Sequence, residues 1–482
     1  MRSPHAPLRL LFLVPALASC AFILDFDSLQ AEEGSAQGGQ LLSGGTAGSG
    51  GLGGSGACPS TCFDDDPCTT DGCDENDECL SDVALGLVLD GIDATIPAET
   101  HHRVTAVAGD DDFFLSAFSV GTEGPEVTLY RLDADGSDLS EIRKLTGSSL
   151  DDVGEPVSAA GLAFQQEAGL LHAYIGMKKL GGEGSRVRHI IVNGSTFEPI
   201  GDGSLVGDSY WDASPYNYPV AGIFELVPAV AWINEDQSIG LDGAGIETAT
   251  LSANAPAMAL ALVASSNDRP AVIYGSTEGV FVERPDEDPV PVIECQNLPG
   301  GYLSFSSTST SVPGFWLATW TKFGVESDEG PAFLTTEGTG MYCGEGQCLL
   351  QQRECGMGSQ FEAVRNPATA VVHRPGTATG YVEVVTASPF LIEDDGSVGA
   401  GIVLRQQSVD LGVPPFENEA IVEALGPDLP LSAQPTSEAD GFRGPDWPVI
   451  AHVPPDHYLV AWIEPAEGGD ALRVQRYRMC LP

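Results

Sequence analysis

An all-β fold is predicted for this 482-residue chain, and three observations predict it. The 58 Gly and 34 Pro make about 19% of the residues, against a usual share of roughly 12%, which favours frequent tight turns over long helices. From about residue 84 onward, short apolar runs separated by polar turns recur in pairs, and each pair is followed by a third run. The second run often ends in an aromatic residue, as at Phe118, Tyr174, Trp232, Tyr274, Trp320 and Trp462, and seven such units span the chain at a mean spacing of about 57 residues. A small antiparallel sheet of four strands with its loops occupies about that length, so residues 81–482 are predicted to form a seven-bladed β-propeller. Tandem β-sandwiches are the alternative arrangement of the same strands, because the spacing between units is uneven.

In chain order, the first element is a leader. Arg2 and Arg9 flank an apolar run, Leu10 to Ala18, that is too short to span a bilayer. It ends in Leu17-Ala18-Ser19-Cys20, which resembles the lipobox of bacterial lipoproteins. The resemblance implies cleavage after residue 19 and acyl chains on Cys20, and with them a membrane as a partner and an outer-membrane or cell-surface address. Each buried CH₂ contributes about 0.8 kcal/mol, so several chains hold a protein where one holds it marginally.

Residues 20–57 follow as a tether. Eleven of the 24 residues in 34–57 are Gly, with almost no bulky side chain. Such a segment buries too little apolar surface to offset its ordering entropy. As a flexible coil, residues 21–57 reach about 35 Å, enough to hold a domain away from a membrane.

Residues 58–80 form the next element, with cysteines at 58, 62, 68, 73 and 79. From Cys62 onward the pattern Cys-Asp-Asp…Pro-Cys-Thr-x-Asp-x-Cys resembles the short Cys-rich repeat of slime-mould extracellular-matrix proteins, which implies surface exposure and a structural role. A segment this small has no core of its own and needs disulfides to hold it. The remaining cysteines are Cys295, Cys343, Cys348, Cys355 and Cys480. With Cys20 lipidated, ten are left in an exported chain, an even number that suggests disulfides. Each set of five is odd, so at least one bridge joins the two sets if all ten pair.

The paired runs begin with Val104–Ala108 and Phe113–Phe118, then Gly161–Phe164 and Leu170–Ile175, then a poorer copy, Ile223–Val227 leading into Ala229–Trp232. They continue as Ala259–Val263 with Pro270–Tyr274, Leu303–Ser307 with Phe315–Trp320, Thr369–His373 with Tyr381–Val385, and Pro448–His452 with Tyr458–Trp462. Their alternation and turn residues fit strands packed on both faces. The last unit stops after its third run, while an orphan run, Leu85 to Leu89, precedes the first unit. Pairing the orphan beside the last strand would close the ring without an exposed edge. It would also bring Cys480 near Cys79 or Cys58.

Composition limits the function. With 21 Lys and Arg against 69 Asp and Glu, the formal net charge is −48; removal of Arg2 and Arg9 makes the mature chain more acidic still. Such a surface repels phosphate backbones, which excludes nucleic acid as a partner. The acidic run containing Asp64, Asp65 and Asp66 offers hard oxygen ligands for calcium, but no ordered EF-type loop is present, and a solvated face is the simpler reading. His373 and His452 fall at matching places in the sixth and seventh units and form a candidate transition-metal pair that still lacks a third ligand. No cofactor is otherwise implied. Asn193-Gly-Ser195 reads as a turn.

The chain has no nucleophile elbow, phosphate loop or His-Glu-x-x-His, so no catalytic residue is assigned. The preferred reading is a lipid-anchored envelope protein displaying the propeller as a binding or adhesion module for a glycan, a peptide or another envelope protein. A polymer-degrading hydrolase or lyase, and a passive envelope or matrix component, are the alternatives.

Overall fold

The computed structural model describes residues 66–480 except for intervening segments, the longest of them 336–355. Among the described residues, seven antiparallel sheets of three to five strands follow one another along the chain. Sheet 1 comprises His101–Ala108, Asp112–Gly121, Gly124–Asp133 and Leu139–Lys144. Sheet 2 comprises Gly161–Gln165, Leu170–Lys178, Ser185–Asn193 and Ser204–Val206. Sheet 3 comprises Val220–Phe224, Val227–Ile233, Ile239–Gly243 and Ile246–Leu251. Sheet 4 comprises Ala259–Ala264, Pro270–Ser276, Gly279–Glu283 and Val290–Glu294.

Sheet 5 has three strands among the described residues, Leu303–Ser309, Phe315–Lys322 and Glu329–Thr335. Sheet 6 is built on a long hairpin, Tyr381–Asp394 with Ser397–Asp410, flanked on one side by Ala368–Val372 and on the other by two short strands, Ile421–Ala424 and Leu429–Thr436. Sheet 7 comprises Asp446–Val453, His457–Ala466 and Gly469–Cys480, and its fourth strand, Gly86–Ala98, comes from the other end of the chain.

The first strand of each sheet touches the first strand of the next, and that of sheet 7 touches that of sheet 1, so the seven inner strands follow one another in a closed cycle. The orphan run does pair with the last strand, Leu87 opposite Met479 and Ile96 opposite Leu472. This pairing covers the edge that the last strand would otherwise expose.

Alternation explains the packing between sheets. In the second strand of sheet 1, Phe113, Leu115 and Ala117 pack toward sheet 7, while Phe114 and Phe118 pack toward sheet 2. In sheet 7, Leu459, Ala461 and Ile463 face sheet 1, and Tyr458, Val460 and Trp462 face sheet 6. A strand with period two buried on both faces reads as an unbroken apolar run, which is how these segments appear in the sequence.

Two expectations need correction. The first strand of sheet 3 ends at Phe224, and Val227 begins the second. Glu225 and Leu226 between them both have left-handed backbone, φ 46° and 67°. That is the tight hairpin geometry usually signalled by Asn-Gly, so the residue types conceal the turn. The bridge between the two cysteine sets joins Cys480 to Cys68, with Cα atoms 5.2 Å apart, rather than to Cys79 or Cys58. Cys73 and Cys79 are also disulfide-bonded, and they lie opposite each other in a two-stranded ribbon of Thr69–Cys73 and Cys79–Val83.

The bridge belongs to a larger junction. Arg478 reaches Asp66 at 3.3 Å and Asp456 at 3.0 Å, and His457 lies between Asp456 and Asp90. The closing strand is bulged between Leu89 and Asp93. There Gly91 has φ 88°, and a Cβ would sit 2.4 Å from the guanidinium of buried Arg476. The left-handed backbone favours glycine here, and a larger residue would also displace the end of the Arg476 side chain.

Candidate functional site

Three side chains from sheets 1, 3 and 7 converge where inner strands begin. Arg103 is near the start of the first strand of sheet 1, Trp447 is near the start of the first strand of sheet 7, and Tyr218 lies two residues before that of sheet 3. The Arg103 guanidinium carbon lies over both rings, 2.9 Å from the Tyr218 centroid and 4.4 Å from that of Trp447. Arg103 and Trp447 are buried. A cation against aromatic faces contributes about 0.5–2 kcal/mol, the larger values where water is excluded.

The local backbone explains how they meet. Register slips in both strands, between His101 and Arg103 in sheet 1 and between Asp446 and Val449 in sheet 7. Such bulges re-aim side chains. Trp447 adopts φ 54°, a left-handed conformation that is costly for a bulky residue and that concentrates at functional positions. Tyr218 arrives past sheet 2 because Gly161 lets the chain through: a Cβ there would stand 2.3 Å from the carbonyl oxygen of Pro219. Beside the cluster, Thr105 Oγ1 donates to the Ala160 carbonyl at 2.6 Å, and the Ala160 amide donates to Ser116 Oγ at 3.0 Å, tying sheet 1 to sheet 2. The arrangement holds a planar, permanently charged guanidinium against two π faces.

A second polar cluster lies between sheets 2 and 3. His172 and Tyr174 are buried on the second strand of sheet 2, and half-buried His189 on the third strand stacks on Tyr174 with centroids 4.3 Å apart. His172 Nδ1 and His189 Nε2 are 3.0 Å apart. Burial lowers the pKa of His172. That of His189 falls to about 4, through burial first and the neighbouring His172 second, with Asp242 of sheet 3 acting in the opposite direction. Burial, with Asp242, raises Tyr174.

The residues singled out from sequence fall as follows. Asp66 Oδ1 accepts from the Cys68 amide at 3.0 Å and faces Arg478; Asp64 and Asp65 lie outside the described residues. The His452 ring is 4.7 Å from that of Tyr458, its Nε2 3.4 Å from the Pro455 carbonyl, and His373 lies outside the described residues. So do Cys20, Cys58, Cys62, Cys295, Cys343, Cys348 and Cys355. No group of three metal-ligating side chains occurs among the described residues. Asn193 makes the expected turn, its Oδ1 accepting from the Ser195 and Thr196 amides at 3.0 and 2.9 Å.

Arg103, Tyr218 and Trp447 were not foreseen from the sequence. A signal was present, since Tyr218-Pro219 and Trp447-Pro448 both put an aromatic before a proline at the entry to an inner strand. Proline there biases the preceding residue away from helix and marks a boundary.

In class, this is an all-β chain of successive small sheets in cyclic contact, with a cationic–aromatic cluster among its inner strands. No protein-family model matches the chain, and no curated protein matches its sequence. Among solved structures, an α-L-arabinanase of Penicillium chrysogenum complexed with arabinobiose is 9% identical, with 81% of this chain and 98% of that one covered and a TM-score of 0.43. A polysaccharide lyase, an ulvan lyase, is 10% identical over 80% and 96% with a TM-score of 0.42. AofleA from Arthrobotrys oligospora is 9% identical over 70% and 91% with a TM-score of 0.38. Likenesses of this size carry no functional argument, and the fold stands on the strand order and contacts given above.

Proposed function

We propose that this protein is a lipid-anchored component of the cell envelope that displays a seven-bladed β-propeller as a binding or adhesion module. Cys20 carries the acyl chains, residues 20–57 form the tether, and residues 58–80 staple the base of the propeller. The ligand is met at the cluster of Arg103, Tyr218 and Trp447. It is a glycan, a peptide or another envelope protein that offers an acidic or polyhydroxylated group to the guanidinium. The observation that carries this reading is the convergence of one cation and two aromatics from three different sheets, reached through two bulges and a strained Trp447.

Two experiments test it. Cys20→Ser is expected to move the protein from the membrane fraction to the soluble fraction; retention in the membrane would refute the anchor. Glycan and peptide arrays probed with the whole protein are expected to yield ligands whose capture falls about tenfold in Arg103→Ala, in line with the loss of one charge-assisted contact of roughly 1.4 kcal/mol. Unchanged capture by a variant with an unchanged unfolding midpoint would move the site elsewhere.

A further inference from the structure

We propose that the seam between sheets 2 and 3 is an acid-sensitive joint in the ring, closed while the His172–His189 pair carries at most one positive charge and parted when both rings are protonated. The hydrogen bonds define the resting state. His172 Nε2 is 3.3 Å from Gln165 Oε1, an oxygen that only accepts, so His172 carries its proton on Nε2. Its bare Nδ1 then accepts from the Nε2–H of His189 at 3.0 Å.

This chain of donors has no place for a second added proton. A first added proton on either ring still leaves one N–H donor and one acceptor across the 3.0 Å contact. A second sets N–H against N–H across that contact and puts two like charges at a buried seam.

The surroundings give little relief. Val187, Val206, Val230 and Trp232 pack around Tyr174 from sheets 2 and 3. Among the described residues, Asp242 is the charged group from sheet 3 that acts on His189 and Tyr174. Across the same seam, Gln165 Nε2 donates to the Leu226 carbonyl of sheet 3 at 2.6 Å. Rotation of Gln165 away from His172 therefore also disturbs a tie between the two sheets.

The direction follows from linkage. Both imidazoles have lower proton affinity in the closed seam than in water, so the opened state binds more protons. The stability of the closed seam is full above about pH 6.5 and declines as pH falls toward 4.

The experiment is hydrogen exchange of the whole protein between pH 7 and pH 4, corrected for intrinsic exchange, together with NMR titration of the histidines. Opening at sheets 2 and 3 is expected to rise about tenfold per pH unit below 6.5 for each proton taken up, with a smaller rise at the seams between sheets 7 and 1 and between 1 and 2. His189→Phe, which keeps the ring stack on Tyr174 but takes no proton, is expected to lose most of that excess. In Asp242→Asn, His189 is expected to titrate at lower pH than in the unaltered protein. Equal acid response at every seam would overturn the proposal, as would an unchanged excess in His189→Phe. If His189→Phe does not fold, the titration decides: His189 titrating near 6.5, or not moving in Asp242→Asn, refutes it.

Discussion

Replacing Cys68 and Cys480 together with alanine is expected to lower stability by about 2–5 kcal/mol, in the range for loss of a native disulfide. The bridge joins residues 412 apart, so the chain-entropy contribution is near the top of its range, because loop closure grows with loop length. The bridge also acts where the ring is completed by a strand from the opposite end of the chain. Gly86–Ala98 and Gly469–Cys480 stay paired through backbone hydrogen bonds, and Arg478 still meets Asp456. The loss is therefore expected to concentrate at the closing strand: hydrogen exchange should speed up in residues 86–98 before it does in sheets 1 to 3. A guanidinium midpoint equal to that of the parent protein would show that the bridge constrains nothing. The double substitution leaves neither partner of the bridge as a free thiol.

Trp462→Ala is expected to cost about 3–5 kcal/mol, the usual range for removing a large aromatic from a core. Trp462 is 1% exposed and packs between sheets 6 and 7 with Tyr458, Val460, Tyr477, Ile402 and Leu404. Its Nε1–H donates to Glu464 Oε2 at 3.2 Å, an oxygen that also accepts from Ser432 Oγ of sheet 6 at 3.1 Å. The alanine variant loses apolar area, leaves a cavity, and removes one donor from a carboxylate that links two sheets. Trp462→Phe retains most of the volume and should cost clearly less. Equal losses in the two variants would place the energy in the hydrogen bond to Glu464 rather than in packing. Denaturant midpoints measured side by side distinguish the cases.

The strands were the most legible part of the sequence. Runs such as Asp112–Gly121 and His457–Ala466 are apolar on both faces, and the Gly, Asp and Asn residues between runs mark the turns. The orphan run before sheet 1 and the open edge of the last unit's third run together implied the closing pair, because an unpaired edge is costly. Less legible were features that depend on where side chains from distant segments meet. Cysteine parity called for a bridge between the two sets if all ten pair. Which thiol reaches Cys480 depends on the docking of the Thr69–Cys73 ribbon against the last strand. The turn at Glu225-Leu226 was hidden because its left-handed backbone is imposed by the hairpin rather than favoured by its residues. The same limit applies to the candidate site: Arg103, Tyr218 and Trp447 lie far apart in sequence, and nothing local links them.

Local chemistry in the chain determined the all-β class, the order of the paired and third strand runs, and the acidic composition. These follow from composition and from period-two burial, which each segment carries by itself. The tertiary structure alone decided the Cys68–Cys480 bridge, the stacked His172–His189 pair and the cation held over two rings among the inner strands. Each of these joins side chains whose separation is set by strand register and by contact between sheets. Such distances are properties of the closed ring as a whole, and no segment specifies them alone.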